Sequence, residues 1–582
     1  MRRIRYTFTF ALLLCACRQV LGLDDLREKG ATPDLPDTGT DGSAPIDAAT
    51  SCSTSLECST DAGRPALCVE KRCVAIAPEL CPPDAVLPSP AVLTDENALL
   101  FAAFVPFADG HPASNSEGPR RAFELAVSEI NGPGIPGMPI RKVGLLLCDG
   151  NFNDVRRSVD HVVKDLRVPG VIAGFQPSDL TELAQNTFAA KGPGGTFANP
   201  TFVVNPNPPA AQMRYYKDQV GGMVMNLLGP VEDLAATYTP LLAKAESYLA
   251  GPDSFRGLQK INPGEMRVAV VHEKGEPYYD ELADTLRNGP YVSSESGLVR
   301  DPSRALRFNG GSLDANKAAD RFLDITITGT PNYQDVAAKL VAFKPDVIVA
   351  LTVQQVELVN NEAVGLVPSV ETVFKGLNPR PPMPLWVLRN ARHIVPYLQQ
   401  LTSAAGQQQL QRFVGVTYGA AVDGAEERSA WLKRMGTQFD ASTANDWSWT
   451  ENFYDAVYWL AYGYYAAKTT GTQLADGLAI SKAIQGKMLP TSAKPTVVRA
   501  GDQVTVQSQF EIIKNNNEVM FRGALGDSKI PFATMTWESV GSVYCFWING
   551  FDVEIRYDHL RYNRADGTLY TPPYDGGSPS CF

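Results

Sequence analysis

The chain has 582 residues, 44% of them hydrophobic, and a formal net charge of −11. It is long enough for more than one buried core, and too acidic to offer the basic stripe that nucleic-acid binding requires. No apolar run reaches the ~20 residues that cross a bilayer core, so a spanning helix is excluded and the ten cysteines become the best guide to compartment.

The first residues set that compartment. Arg2, Arg3 and Arg5 precede an apolar stretch from Phe8 to Cys15, the charge-then-apolar order of a secretory signal. Leu14-Cys15-Ala16-Cys17 resembles the bacterial lipobox, in which cleavage follows a small residue and the next cysteine takes the lipid. Residues 1–16 are therefore expected to be a lipoprotein signal peptide, with Cys17 lipidated and the membrane reached through that anchor only. Three arginines and no acid leave with the signal, so the charge falls to −14. Residues 17–50, rich in Asp, Gly, Pro, Thr and Ala, have no apolar period and read as a disordered, flexible stalk.

Residues 51–90 form a small Cys-rich segment. Cys52, Cys58, Cys68 and Cys73 are spaced C-x5-C-x9-C-x4-C, without the close pairs of common zinc modules. In an exported chain two local disulfides are the better reading, with the connectivity left open. Cys81, Cys148, Cys545 and Cys581 are an even remainder that permits more bridges, and Cys545 with Cys581 would pin the C-terminal tail. No metal site is expected.

Beyond residue 90 strands and helices alternate. "LLFAAFVPF" is an apolar run of strand length, and in "EGPRRAFELAVSEIN" Phe123, Ala126, Val127 and Ile130 fall on one helix face. "VGLLLC", "GVIAGF" and "TFVVN" read as strands, with a helix in "SDLTELAQNTFAA" capped by Ser178. The alternation resumes with "MRVAVV", "EPYYDELADTL", "DVAAKLVAF", "DVIVALT", "PLWVL" and "RFVGVTY". Near-continuous apolar strands separated by helices imply parallel sheets covered on both faces. About 490 residues exceed one such sheet, so the expected fold class is α/β with two lobes. "QVTVQSQFEII" and "SVYCFWINGFDVEIRY" near the end read as strands.

Apparent catalytic motifs fail on context. "GPGIPG" matches G-x-G-x-x-G but follows a helix and contains Pro133 and Pro136, so it is a turn. "HEKGE" lacks the second histidine of a zinc peptidase and precedes Pro277. No nucleophile elbow or phosphate loop is present, and the five histidines lie in unrelated contexts, so the chain reads as no enzyme and needs no cofactor. The aromatic "WTENFYDAVYWLAYGYYAAK" follows helical spacing and belongs in a core.

Taken in order, "GPRRAFELAVSEINGPGIPGMPIRKVGLLLCDGNFN", "VPGVIAGFQPSDLTELAQ", "MRVAVVHEKGEPYYDELADTL", "PNYQDVAAKLVAFKPDVIVAL" and "ENFYDAVYWLAYGYYAAK" resemble the type I periplasmic binding proteins, in the leucine/isoleucine/valine-binding branch that serves ABC transporters. The resemblance implies a two-lobed Venus-flytrap over residues 91–582. Lobe 1 would take roughly 95–220 and 410–500, and lobe 2 roughly 221–409 and 501–582. Ligand contacts would come from Phe107 and Asp109 after the first strand, and from Gln176, Ser178 and Asp179 at a helix start. Asn205 and Asn207 stand where the family carries small hydroxyl residues. The second lobe would add Glu276, which could meet an ammonium, with Tyr278, Thr352 and Asn390. The segments from about Met223 to Pro263 and Phe308 to Asp320 read as insertions near the cleft.

The resemblance implies a lipid-anchored protein of the cell envelope, periplasmic or at the cell surface. It would capture an amino acid or related small polar ligand and deliver it to an ABC transporter permease. An extracytoplasmic sensor or surface-interaction lipoprotein on the same fold is the alternative.

Overall fold

The structure is a computed structural model that describes residues 51–571 apart from internal segments, the longest being 174–196, 205–212, 214–220, 252–260, 401–406, 441–449 and 469–474. The expected signal peptide, Cys17 and the stalk lie outside these residues. The chain begins with helix α1 (Ser55–Ala62) and the hairpin β1 (Ala66–Val69) and β2 (Arg72–Ala75). Glu70 and Lys71 at its turn both adopt positive φ, the geometry that matches the twist of a two-residue hairpin. Two disulfides, Cys52–Cys68 and Cys58–Cys73, staple helix to hairpin around a core of little more than the cysteines and Ala66. Such a small unit cannot be held by apolar burial alone.

The Cys-rich segment does not extend to residue 90 as a separate module. Leu67 of β1 already joins the core of the first lobe, as do the apolar side chains from Ile76 onward, and Cys81 is bonded to Cys148. Strand β3 (Val86–Leu87) then adds an antiparallel edge to a six-stranded sheet. The others are β4 (Ala98–Val105), β5 (Lys142–Asp149), β6 (Gly170–Ile172), β7 (Phe202–Val204) and β8 (Val224–Met225), all parallel, in the order β8-β7-β6-β4-β5-β3. Helix α2 (Glu117–Asn131) joins β4 to β5, and its predicted face, Phe123, Ala126, Val127 and Ile130, is fully buried.

The second lobe opens with helix α3 (Val231–Ala250), then β9 (Val268–Glu273), α4 (Pro277–Asn288), β10 (Phe322–Ile327), α5 (Tyr333–Phe343), β11 (Val347–Leu351), α6 (Leu366–Gly376), β12 (Leu385–Leu388) and β13 (Phe413–Gly419). These strands pair parallel in the order β10-β9-β11-β12-β13. Alternate residues of each strand point to opposite faces. Val268, Val270, Val347, Val349 and Val387 meet Leu234, Tyr238 and Leu282 of α3 and α4. Ala269, Val271, Ile348, Ala350 and Trp386 meet Val336, Leu340, Val367 and Val370 of α5 and α6. The suspected insertion after Met223 thus supplies a core helix, α3, and the one near Phe308 forms a short hairpin and helix before β10.

The chain returns to the first lobe for helices α7 (Ala425–Gln438) and α8 (Glu451–Lys468), strand β14 (Thr496–Arg499), helix α9 (Gln503–Asn515) and strands β15 (Val519–Gly523) and β16 (Gly526–Asp527). It closes in the second sheet with antiparallel β17 (Val540–Asn549), β18 (Asp552–Asn563) and β19 (Thr568–Tyr570). Two expectations are corrected here. The lobe boundaries fall elsewhere, since β13 pairs in the second sheet whereas residues 503–527 pack with the first core. "QVTVQSQFEII" is helix α9, not a strand. Asp502 caps it by accepting from Thr505 N at 2.9 Å, and Val506, Phe510 and Ile513 line its buried face, while Val504, which suggested alternation, is 83% exposed.

Aromatic helix α8 packs in the core, as its spacing indicates. Tyr454, Tyr458 and Tyr462 are fully buried, and each hydroxyl has a partner: Tyr454 and Tyr458 donate to Glu129 of α2, and Tyr462 donates to the Arg499 carbonyl at 2.8 Å. Arg434 of α7 donates to the same Glu129 at 2.8 Å, so the carboxylate buried by these helices is matched by one cation.

Candidate functional site

Open parallel sheets bind ligands beyond the carboxyl ends of their strands, and three chain crossings bring those ends together here. The first runs from Met225, the carboxyl end of β8, to Val231 at the start of α3. The second leaves Gly419, the carboxyl end of β13, for α7. The third leads from β16 to Val540, which pairs with Gly419 at that same edge. The first and third crossings are bonded to each other: Asn226 N donates to the Met535 carbonyl at 2.9 Å. The fully buried Asn226 side chain shapes the first crossing, accepting from Leu228 N at 2.9 Å and donating to the Gly229 carbonyl at 3.2 Å.

On the first lobe, Phe107 is buried just past β4 and pairs with Pro112 in a short hairpin. Its carbonyl accepts from Asn151 Nδ2 at 2.7 Å, and Asn151 N donates to Asp149 at the end of β5. The loops after β4 and β5 are therefore cross-linked at the carboxyl edge. Asp109, Gln176, Ser178, Asp179, Asn205 and Asn207 lie outside the described residues.

On the second lobe, two of the predicted contacts, Tyr278 and Thr352, are among the described residues. Beyond β9, the loop is held by Asp280, which bonds His272 Nε2 at 2.7 Å and accepts from Gly275 N at 3.1 Å. That loop leads into α4, whose first turn presents Tyr278, a predicted contact and 6% exposed. Its hydroxyl accepts from Arg389 Nε at 3.0 Å and Nη2 at 2.8 Å, and lies 3.4 Å from the hydroxyl of Tyr418. Arg389 follows β12 directly, and its guanidinium sits 5.1 Å from the Tyr278 ring centre and 5.6 Å from that of Tyr418. Burial pushes the hydroxyls of Tyr418 and Tyr238 well above the ordinary tyrosine range, so both stay neutral donors. Thr352, also predicted, is fully buried after β11, and its hydroxyl has no partner among the described residues. Glu276 and Asn390 lie outside them.

Sequence reasoning missed Arg389, Tyr418 and Tyr238. The first two were within reach of the rule that selected Asn390 and Thr352, because both stand at the carboxyl ends of apolar strands. Tyr238 gave no such signal, being one of several buried residues on α3.

The disulfide candidates divide clearly. Cys52, Cys58, Cys68, Cys73, Cys81 and Cys148 form three bridges. Cys545 is disulfide-bonded as well, and Cys581 lies outside the described residues. The sulfurs of Cys52, Cys58 and Cys73 lie within 4.8 Å of one another, but all three are oxidised and offer no thiolate to a metal.

A cavity of about 710 Å³ lies at the other, amino end of the first sheet, between the stapled hairpin and the residues that precede β4, β5, β6 and β7. Leu67, Leu99, Arg141, Val168 and Tyr464 are among its walls, and it contains none of the predicted contacts.

No family model matches the chain, and no curated protein does. Solved structures do. A type 1 periplasmic binding protein from Bordetella pertussis Tohama I is 15% identical, with 79% of this chain and 100% of that one aligned at a TM-score of 0.47. A structure described as a possible leucine/isoleucine/valine-binding protein from Rhodopirellula baltica is 12% identical over 79% of this chain and 97% of that one, TM-score 0.46. A solute-binding protein of an R. palustris ABC transporter, in complex with 4-hydroxybenzoate, is 10% identical over 82% of this chain and 99% of that one, TM-score 0.49. The structures to which this chain is similar thus include a type 1 periplasmic binding protein, a possible leucine/isoleucine/valine-binding protein and a solute-binding protein of an ABC transporter.

Proposed function

We propose that the chain is an extracytoplasmic solute-binding protein that captures a small polar ligand between two lobes and passes it to an ABC transporter permease. The observation that carries this reading is the set of three crossings joining the carboxyl edges of two parallel sheets. Linkers there can act as a hinge, and closing the hinge brings the ligand-facing loops of both lobes onto one molecule. Binding of this kind performs no chemistry on the solute. A solute that binds the closed form more tightly than the open one drives closure by that difference alone.

In this reading the contacts come from Phe107, Asp109, Gln176, Ser178, Asp179, Asn205 and Asn207 on one lobe and Glu276, Tyr278, Thr352 and Asn390 on the other. The ligand is an amino acid or a related small polar molecule, in keeping with the possible leucine/isoleucine/valine-binding protein and the 4-hydroxybenzoate complex among the similar structures. Cys17 would carry the lipid that holds the protein at the envelope. Small-angle scattering of the full chain tests the clamp: a bound solute lowers the radius of gyration. A profile unchanged by every solute that binds in calorimetry refutes closure.

A further inference from the structure

The helix Val155–Asp160 widens into a π turn over His161–Asp165, a distortion frequent at functional sites. His161 at the start of that turn is 7% exposed. Its Nε2 accepts from Ala77 N at 3.1 Å, and its Nδ1 lies 3.1 Å from a carboxylate oxygen of Asp165. A backbone N–H can only donate, so Nε2 must carry a lone pair and the ring proton sits on Nδ1, facing Asp165. The neutral state of the ring thus follows from the geometry. Ala77 stands in the link between β2 and Cys81, and its carbonyl accepts from Leu80 N at 3.0 Å and Cys81 N at 2.8 Å. The bond to His161 therefore fixes the start of the turn through which the stapled unit joins the first lobe.

Two ion pairs join the same segments. Glu79 of the link meets Arg157 at 3.7 Å, and Glu70 at the hairpin turn meets Arg167. All four side chains are exposed, and such pairs contribute little. Lys164 is paired with Asp160 on its own helix at 2.7 Å, so Asp165 is the charged group bonded to the His161 ring. Protonation turns Nε2 into a donor and sets two N–H groups against each other. A ring flip gives no relief, because an imidazolium carries a proton on both nitrogens. We propose that His161 is a proton-sensitive latch: neutral, it fastens the stapled unit to the first lobe, and protonated, it gives up the Ala77 bond and loosens the hairpin that walls the cavity of about 710 Å³. The latched form needs the neutral ring and the loosened form does not, so acid favours loosening. Leu67 and Ile76 in the lobe core oppose the movement, and the Cys81–Cys148 bridge confines it to the residues ahead of Cys81. The latch is independent of the clamp, since it joins segments within one lobe.

Hydrogen exchange of the full chain, read by mass spectrometry at about pH 8 and about pH 5, spans the range in which histidines take up a proton and tests the latch. After correction for the chemical exchange rate, protection of peptides covering Ile76 to Cys81 falls about tenfold at the lower pH, as expected when a sheltered donor loses its partner. β4 does not lose protection. His161→Gln offers an acceptor of similar reach that does not titrate, and holds the protection of this segment at both pH values. His161→Phe offers none and shows the lowered level at both. The proposal is overturned if the parent is equally protected there at the two pH values, or if His161→Gln falls as far as the parent. It is overturned too if His161→Phe matches the parent at the higher pH, or if β4 loses protection in parallel, which would mark a general loss of stability.

Discussion

Asp455 shows how a single buried carboxyl can govern the first lobe. It projects from α8 into the turn between β15 and β16, where Oδ1 accepts from Ala524 N at 2.7 Å and Oδ2 from Leu525 N at 2.9 Å. The fit leaves no room: a Cβ on Gly523 would lie 2.2 Å from Oδ1. Burial pushes the carboxyl up to about 7 from its ordinary 3.8, against the pull of the two N–H groups. Between those values the native state holds a proton that the unfolded chain has released, so this group's contribution to stability falls as pH rises from about 4 to about 7. Urea midpoints measured across that window should decline in the parent and lose this component in Asp455→Asn. Identical slopes would show that the carboxylate is ionised throughout. None of this was legible in the sequence, where Asp455 is one acid in an aromatic helix and its partners lie about 70 residues away. The same holds for the site: Tyr278 could be picked out because it opens a helix after a strand, whereas Arg389 acquires meaning only once Tyr278 and Tyr418 surround it.

Elements were read well where burial fixed their period. α2 was bounded by its apolar face, and β9, β11 and β12 by runs with no polar residue to interrupt them. α9 was misread because an Asp cap and a polar solvent face leave three buried residues too widely spaced to outvote local β-branching. The short β3 gave no pattern at all, and covalent chemistry rather than periodicity keeps its segment in place. Cys81 bonds Cys148 of β5 across a separation of 67 residues, and Asp149 N donates to the Leu80 carbonyl at 2.8 Å beside it. Replacing both cysteines by serine should lower stability by about 2–4 kcal/mol in denaturant titration. Equal midpoints for parent and variant would mean that the β3 pairing and the buried Ile76, Leu80 and Val86 suffice.

For the whole molecule, the sequence conveyed two lobes but not where the chain changes from one to the other. Boundaries near 220, 410 and 500 came with the resemblance; the division follows which strand edge each segment finds. β13 joins β12, the hairpin β17–β18 joins β13, and residues 496–527 cover α8. The apolar clusters of the two lobes share no residue, and three crossings connect them. Scanning calorimetry of the full chain should therefore resolve two unfolding components, and a ligand that bridges the lobes should draw them together. A single sharp transition in the free protein would mean that the crossings already couple the lobes.

The bridge between Cys81 and Cys148 also determines how force enters the protein. Tension applied to the chain ahead of Ser51 passes first through the hairpin, whose two staples prevent it from unravelling beyond a few residues. It then reaches Cys81 and is transferred covalently to β5, next to the central strand β4, before it can peel β3 from the sheet edge. The load ends in a strand that pairs with β4 along its full length, and it bypasses the three crossings. A drag on the amino terminus, whatever holds it, would leave the opening and closing of the lobes mechanically undisturbed.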